Sequence, residues 1–188
     1  ATLLDFVYTN KVSSLKLGKI RYGLMLREDG HVMDDGTCAR VGSNHFIITT
    51  TTAAAGQVMR HLEFVLQVLR PDIDAQVISV TEQWAQFSIA GPRSRDLLNE
   101  ICEEEISNET ITFMSTLSVS IDDISARLFR ISFSGEHAYE IAVPASYGDA
   151  MMRLLASKAK KFGGGPYGME ALNVLRIEKG FITHAEID

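Results

Sequence analysis

The sequence predicts an α+β fold in which antiparallel sheets pack against helices. Short apolar stretches with strand character are separated by turn signals such as "EDG" and "GSN", the pattern of an antiparallel meander. Amphipathic segments with helical spacing stand among these strands. Strands and helices mixed in this way favour a layered sandwich with ferredoxin-like character.

Composition supports a globular protein and excludes several function classes. The chain has 188 residues, of which 46% are hydrophobic and 22% charged, enough for one domain or two small intertwined ones. A net charge of -6, with no basic run longer than that at 158–161, argues against nucleic acid as a partner. No apolar stretch approaches the length of a bilayer span, so no membrane partner is expected.

The two cysteines, Cys38 and Cys102, are far apart and lie in no CxxC or CxxH pattern. Neither a disulfide framework nor a zinc site is therefore predicted. The five histidines are scattered without the spacing of metal ligands, so we expect no metal. A reducing compartment fits best, and we expect a cytoplasmic protein.

In the first part of the chain, strands are predicted near 19–26, 31–41 and 45–50. The stretch "AAAGQVMRHLEFVLQVLRPD" predicts an amphipathic helix of about four turns that stops at Pro71. Its apolar positions at helical spacing are Val58, Leu62, Val65, Leu66 and Leu69.

The second part predicts five strands, three helices and a glycine-rich loop. The predicted strands are "QVISVTE", "WAQFSIAG", "TLSVSID", "SARLFRISF" and "AYEIAVP". The predicted helices are "PRSRDLLNEI", "YGDAMMRLLASKAKK" and "MEALNVLRIEKG". The glycines of "KFGGGPYG" predict a loop without phosphate-binding character, because no Lys-Ser or Lys-Thr follows. We expect residues 1–73 to begin a first domain, 74–162 to form a ferredoxin-like subdomain, and 163–188 to return and pack on the first part.

Asp35 is the first candidate functional residue. Strand alternation in "GHVMDDGTCAR" places it on the more apolar face, where a carboxylate is costly to bury unless it is hydrogen-bonded or neutralised. Functional sites use such placement to shift the pKa of a carboxyl group, so that it can transfer a proton. The alternative is a solvated turn at Asp34 and Asp35. Tyr22, on the preceding strand, is expected near Asp35 across the hairpin.

Glu140 is the second candidate. It shares a strand face with the small residues Ala138 and Ala142, whereas Tyr139 and Ile141 face the other way. The small neighbours leave room for a flat ligand, and a carboxylate accepts paired hydrogen bonds from the donor edge of a guanidine-like heterocycle. The alternative is a glutamate on an exposed edge strand.

Four motifs, in order, resemble the folate-binding aminomethyltransferase family. They are "RYGLMLREDGHVMDDG", "VTEQWAQFSIAGPRSRDLL", "SFSGEHAYEIAVP" and "YGMEALNVLRIEKGF". This family includes the T-protein of glycine cleavage and the enzymes that oxidise sarcosine and dimethylglycine. The residues of the four motifs are most similar to its sarcosine oxidase α-subunit branch. The resemblance implies the family's folate-binding fold, in part, without its opening segment and its C-terminal β-barrel.

The resemblance also implies roles for five residues. Asp35 matches an aspartate near the reacting folate nitrogens, and Glu140 matches the glutamate that holds the amino edge of the pterin. Tyr22, Thr37 and Phe133 match positions that line the ligand. The implied cofactor is tetrahydrofolate, and FAD, FMN and NAD are expected elsewhere in the full enzyme, since no GxGxxG dinucleotide site occurs in this chain.

The implied function is one-carbon transfer within a sarcosine oxidase α subunit, with other oxidase subunits as partners. The iminium or formaldehyde product of amine oxidation would become 5,10-methylenetetrahydrofolate. One alternative is an aminomethyltransferase of glycine cleavage, but Leu172 stands where those proteins carry an arginine. Another is a non-catalytic folate-binding or assembly module.

Overall fold

The computed structural model describes residues 1–183 and 186, which group into two compact units. The first unit comprises Ala1–Ser79 with the described residues from Ile182 onward, and the second comprises Val80–Phe181. The contacts therefore group the segment 163–181 with the second unit. That this segment packs on the first part stays a prediction.

The described residues form seven strands and five α-helices, joined by loops and short 3-10 turns. The strands are β1 (Ile20–Leu26), β2 (Val32–Arg40), β3 (Phe46–Ile48), β4 (Trp84–Ala90), β5 (Thr116–Ile121), β6 (Ile124–Phe129) and β7 (Ala138–Pro144). The helices are α1 (Thr2–Val7), α2 (Ala55–Phe64), α3 (Ser94–Ile101), α4 (Gly148–Lys161) and α5 (Met169–Lys179). The predicted α+β class with antiparallel sheets and packed helices is confirmed.

The first unit is built on a three-stranded antiparallel sheet in the order β1-β2-β3. The meander predicted from the turn signals is confirmed, with β1 and β2 joined across the "EDG" turn. Helix α2 buries Val58 and Leu62 in the core of this unit and continues as a π-helical turn over Val65–Leu69. The helical segment ends before Pro71, as predicted, and its apolar spacing is confirmed through Leu66, but Leu69 is 48% exposed and lies off the buried face.

The second unit is built on a four-stranded antiparallel sheet in the order β4-β7-β6-β5. One face of this sheet carries the apolar core, in which Leu128, Tyr139 and Ile141 are fully buried. Helices α3 and α4 pack on that face through Leu98 and Met151 among others. The sheet therefore has one apolar face under helices and one face of different composition, which carries Glu140.

Two elements differ from the sequence prediction. The predicted strand "QVISVTE" is wrong, because residues 74–80 have no regular structure and Thr81–Gln83 form a 3-10 turn. Its β-branched residues find no strand to pair with: Val77 packs partly against the core of the first unit, whereas Ile78 is 72% exposed. Helix α1 was not predicted, although Leu3 and Val7, four residues apart, place two apolar side chains on its buried side.

Helix α5 ends where the sequence predicts. Gly180 caps it with a positive φ of 81°, in the left-handed region that glycine tolerates best, and its N–H bonds to the carbonyl of Ile177. The predicted strand "SARLFRISF" is shorter than expected and ends at Phe129. Residues 130–137 connect it to β7 without strand structure.

Candidate functional site

Glu140 lies in the middle of β7, which has a strand on each side. Its register partners are Ser88 on β4 and Phe129 on β6, and directly opposite residues of antiparallel strands point to the same sheet face. Ala138 and Ala142 flank it on that face, as predicted. The alternative of an edge strand is therefore excluded, because β7 pairs along both edges.

The Glu140 carboxyl is in a partly desolvated position. Burial raises its pKa above the ordinary value of a glutamate, and the hydrogen bond from the side-chain amide of Gln86 opposes this increase. Gln86 Nε2 donates to Glu140 Oε2. One oxygen of the carboxylate thus has a protein donor, and among the described residues the other has none.

The surface beside Glu140 is open and polar along β4. Gln86 and Ser88 are exposed and share its face. Tyr167, in the loop before α5, donates from its hydroxyl to Ser88 Oγ at 3.2 Å. A flat ligand would meet methyl groups, hydroxyls and one carboxylate here, next to the buried ring of Phe129 on β6.

In the first unit, the buried carboxylate is Asp34 and not Asp35. Asp34 is only 2% exposed, whereas Asp35 is half-buried. Burial raises the pKa of Asp34, and the backbone N–H of Thr51, which donates to its Oδ1 at 3.2 Å, opposes this. The prediction that Asp35 occupies the more apolar face is wrong, because the sheet packs its other face, with Cys38, into the core.

Asp35 is paired with Tyr22, as the sequence predicted. The Tyr22 hydroxyl donates to Asp35 Oδ2 at 2.8 Å. Desolvation raises the pKa of Tyr22, and the hydrogen bond to Asp35 and the negative charge of that residue raise it further. Tyr22 therefore remains a neutral phenol that holds the carboxylate in place, with 43% of the residue exposed to solvent.

The other two predicted site residues, Thr37 and Phe133, lie in different structural environments. Thr37 lies opposite Tyr22 in the β1-β2 register, and its hydroxyl is 2.8 Å from that of Thr49. Phe133 lies in the segment between β6 and β7 and is 39% exposed. An exposed phenylalanine is available to a ligand, but its role as a lining residue stays a prediction.

Gly36 of β2, between Asp35 and Thr37, allows the segment that follows β3 to approach this strand closely. A Cβ at this position would lie 1.9 Å from the carbonyl oxygen of Thr49, which is backbone and cannot rotate away. The glycine thus lets the segment after β3 pass close to β2 on the face of Asp34, where Thr51 N–H binds that carboxylate. Sequence reasoning missed this role of Gly36 and the burial of Asp34.

A cavity of about 650 Å³ lies along β4 within the second unit. Its walls include Ser88, Leu97 of α3, Leu155 of α4 and Leu172 of α5. Leu172 is thus an apolar wall residue at the position where the sequence comparison expected an arginine in glycine-cleavage proteins.

Within 1–183 and 186, no group of three or more His, Cys, Asp or Glu side chains is placed to hold a metal ion. None of the helices in that part of the chain has the length and apolar content to cross a bilayer.

Both the sequence and the fold relate this chain to known proteins. The profile of the GCVT N-terminal domain matches residues 1–188, so the chain belongs to that family. The sarcosine oxidase subunit alpha of Rhizobium meliloti is 52% identical over 190 residues, covering 100% of this chain and 19% of that subunit. The chain thus spans about a fifth of the length of this relative.

Two solved structures share the fold. The glycine cleavage system aminomethyltransferase T of Bartonella henselae matches with a TM-score of 0.80 at 22% identity, over 96% of this chain and 46% of that one. The heterotetrameric sarcosine oxidase of Corynebacterium sp. U-96 matches with a TM-score of 0.58 at 16% identity, over 81% of this chain and 69% of that one. The predicted resemblance to the aminomethyltransferase family is confirmed.

Replacing Glu140 with glutamine should stabilise the ligand-free protein at neutral pH. Because the folded state raises the pKa of Glu140, the wild-type protein loses stability as pH rises from about 4 through that raised pKa, and the neutral amide avoids this loss. Glutamine keeps an oxygen that accepts from Gln86. Urea unfolding at several pH values should show a stability advantage for Glu140→Gln at pH 7 that vanishes near pH 4.

The matched control is Glu136→Gln, which removes an exposed carboxylate from the preceding segment. It should leave the pH profile of stability unchanged. If Glu140→Gln were instead less stable than wild type at neutral pH, contacts within the protein would offset the cost of desolvating the charged carboxylate, and the prediction would be wrong.

Proposed function

We propose that this chain binds a reduced folate and transfers a one-carbon unit to it, forming 5,10-methylenetetrahydrofolate. The observation that carries the proposal is Glu140, a partly desolvated carboxylate on an open sheet face, with one oxygen that no described residue satisfies. The 2-amino group and the adjacent ring N–H of a pterin would donate to this carboxylate. Family membership supports the same ligand class, since the family includes aminomethyltransferases.

In the proposed reaction, the folate is the acceptor substrate. N5 and N10 of tetrahydrofolate each give up a proton and together bond to the carbon of an iminium, whose nitrogen leaves as an amine carrying both protons. With formaldehyde as donor, the second product is water. Either way, protons must move away from the two folate nitrogens as the ring closes.

Asp35 is the group proposed to handle these protons. Its carboxylate is half-buried and exposed enough to exchange protons with solvent, and Tyr22 holds it through a hydrogen bond of 2.8 Å. An oriented carboxylate accepts a proton from an ammonium nitrogen more readily than water does. Thr37, beside Tyr22, and Phe133 are proposed to line the ligand.

The proposed setting is the α subunit of a sarcosine oxidase or a close relative. The support is the 52% identity with the Rhizobium subunit, which covers the entire chain. Amine oxidation by flavin and nicotinamide cofactors would then occur outside this chain, with other subunits as partners. Cys38 and Cys102 form no disulfide, which is consistent with the proposed cytoplasmic location.

Glu140→Gln should weaken the binding of tetrahydrofolate by roughly thirtyfold, about 2 kcal/mol. The amide replaces one acceptor with a donor, which then faces a donor of the pterin edge. Calorimetric titration of the intact protein would measure the change. If the affinity were unaltered, Glu140 would not contact the pterin, and if wild type bound no folate, the proposed function would be wrong.

Asp35→Asn should preserve most of the folate affinity and slow the transfer of the one-carbon unit by roughly 100-fold. The yield of 5,10-methylenetetrahydrofolate relative to free formaldehyde should fall as a result. The amide keeps the shape of the side chain and can still accept from Tyr22, but it does not accept a proton. The control Asp29→Asn alters an exposed turn carboxylate of the same hairpin and should have no effect. An unchanged yield in Asp35→Asn would remove Asp35 from the mechanism.

A further inference from the structure

Gln86 contacts Glu140 from β4, the strand at one end of the sheet order. It pairs with Ala142 in the β4-β7 register, two residues from Ser88, which pairs with Glu140. Gln86 and Glu140 are therefore diagonal neighbours on one sheet face, a separation that long side chains bridge. Ala142 is small and leaves room between them, and the Gln86 amide donates from Nε2 to Oε2 of Glu140. The register thus brings a neutral donor to the candidate carboxylate.

This hydrogen bond occupies only part of the carboxylate. Oε2 of Glu140 accepts from Gln86 and keeps a second lone pair, whereas Oε1 has no donor among the residues that the structure describes. The amide therefore restricts the rotation of the carboxyl group without filling the positions that a ligand needs. A donor edge with two adjacent N–H groups can bond to Oε1 and to the free side of Oε2.

The same hydrogen bond favours the charged form of Glu140. Burial raises the pKa of Glu140, and the bond from Gln86 opposes this increase, because an amide donor bonds more strongly to a carboxylate than to a carboxylic acid. On the four strands and in the loop before α5, the titratable side chains on this face are Arg127 and Tyr167. Neither contributes to the shift, which comes from burial and from Gln86. Gln86 is thus the described group that offsets the effect of burial.

We propose that Gln86 is a positioning residue for folate recognition, which orients the Glu140 carboxylate and favours its charged form, so that it accepts from the donor edge of the pterin. The inference rests on the proposed folate function and adds a residue that the sequence patterns did not single out. A neutral amide suits this task, because a cationic partner would satisfy the carboxylate and compete with the ligand. An apolar residue at this position would leave Glu140 uncharged over a wider pH range.

The test follows the binding of tetrahydrofolate to the intact protein as a function of pH. Binding needs the charged carboxylate, so the affinity should fall as the pH drops through the pKa of Glu140. Gln86→Met removes the donor and keeps the length of the side chain. It should move this fall to higher pH by about one unit, the effect of one hydrogen bond to a charged group. At pH values below the transition, the variant should bind about tenfold more weakly than wild type.

A second readout needs no ligand. NMR of the carboxyl carbon should show the same upward shift of the Glu140 pKa in ligand-free Gln86→Met. Gln86→Glu places a second carboxylate at the same reach and should raise that pKa further. Above the transition, Glu140 is charged in both wild type and Gln86→Met. Their affinities should then differ by no more than about threefold, the effect of freer rotation of the carboxylate.

Gln83→Met is the matched control, because Gln83 is an exposed glutamine of the 3-10 turn before β4. It should leave the pH profile of binding unchanged. A Glu140→Gln background removes the titrating group, and Gln86→Met added to that background should not alter the pH dependence. Titration of tetrahydrofolate itself is common to all variants and cancels in the comparison.

Three results would overturn the inference. If Gln86→Met bound tetrahydrofolate with the pH profile of wild type, Gln86 would not position Glu140, and the proposed folate function would stand. If it weakened binding equally at every pH and left the Glu140 pKa unmoved, Gln86 would serve packing or contact the ligand by itself. If wild type bound no tetrahydrofolate at any pH, the proposed function itself would be wrong and this inference with it.

Discussion

The placement of a carboxylate on a central strand is the constraint on which the second unit depends. Glu140 has β4 on one side and β6 on the other, so its backbone cannot move without disturbing the sheet. Burial disfavours the charged form of its side chain, and Gln86 compensates only in part. Such a residue lowers the stability of the free protein, which is the usual consequence of a site prepared for a ligand.

The two faces of the four-stranded sheet differ in composition because one packs into the core and the other carries polar groups. Tyr139 and Ile141 enter a fully buried core under α3 and α4, and this packing holds the strand rigidly. The alternate residues Ala138, Glu140 and Ala142 face the other side, where the two alanines leave room along the strand beside the carboxylate. Rigid support from one face thus positions the polar groups of the other.

The first unit uses a related arrangement around Tyr22 and Asp35. The phenol of Tyr22 stays neutral and donates to the carboxylate, which fixes its orientation. Asp34, its neighbour, is buried and bonded to the backbone at Thr51, so it holds the segment after β3 in place. Adjacent carboxylates on one strand thereby separate into a structural residue and a candidate reactive one.

Much of this was predictable, because strand alternation and helical spacing are local properties of the sequence. The face of Glu140 and the Tyr22–Asp35 contact followed from such alternation. Alternation alone does not say which face of a strand the protein covers, and so Asp34 and Asp35 were assigned the wrong way round. The false strand at 76–82 has the right residues but no partner, and pairing is a tertiary property.

We propose that the Glu140 carboxylate lacks a hydrogen-bond partner that the pterin edge supplies. Its titration, followed by NMR of the carboxyl carbon in free and tetrahydrofolate-saturated protein, tests this most directly. We expect a pKa above that of an ordinary glutamate in the free protein, and a lower pKa in the complex, because the donor edge stabilises the charge. The same pKa in both states, in protein shown to be saturated, would contradict it.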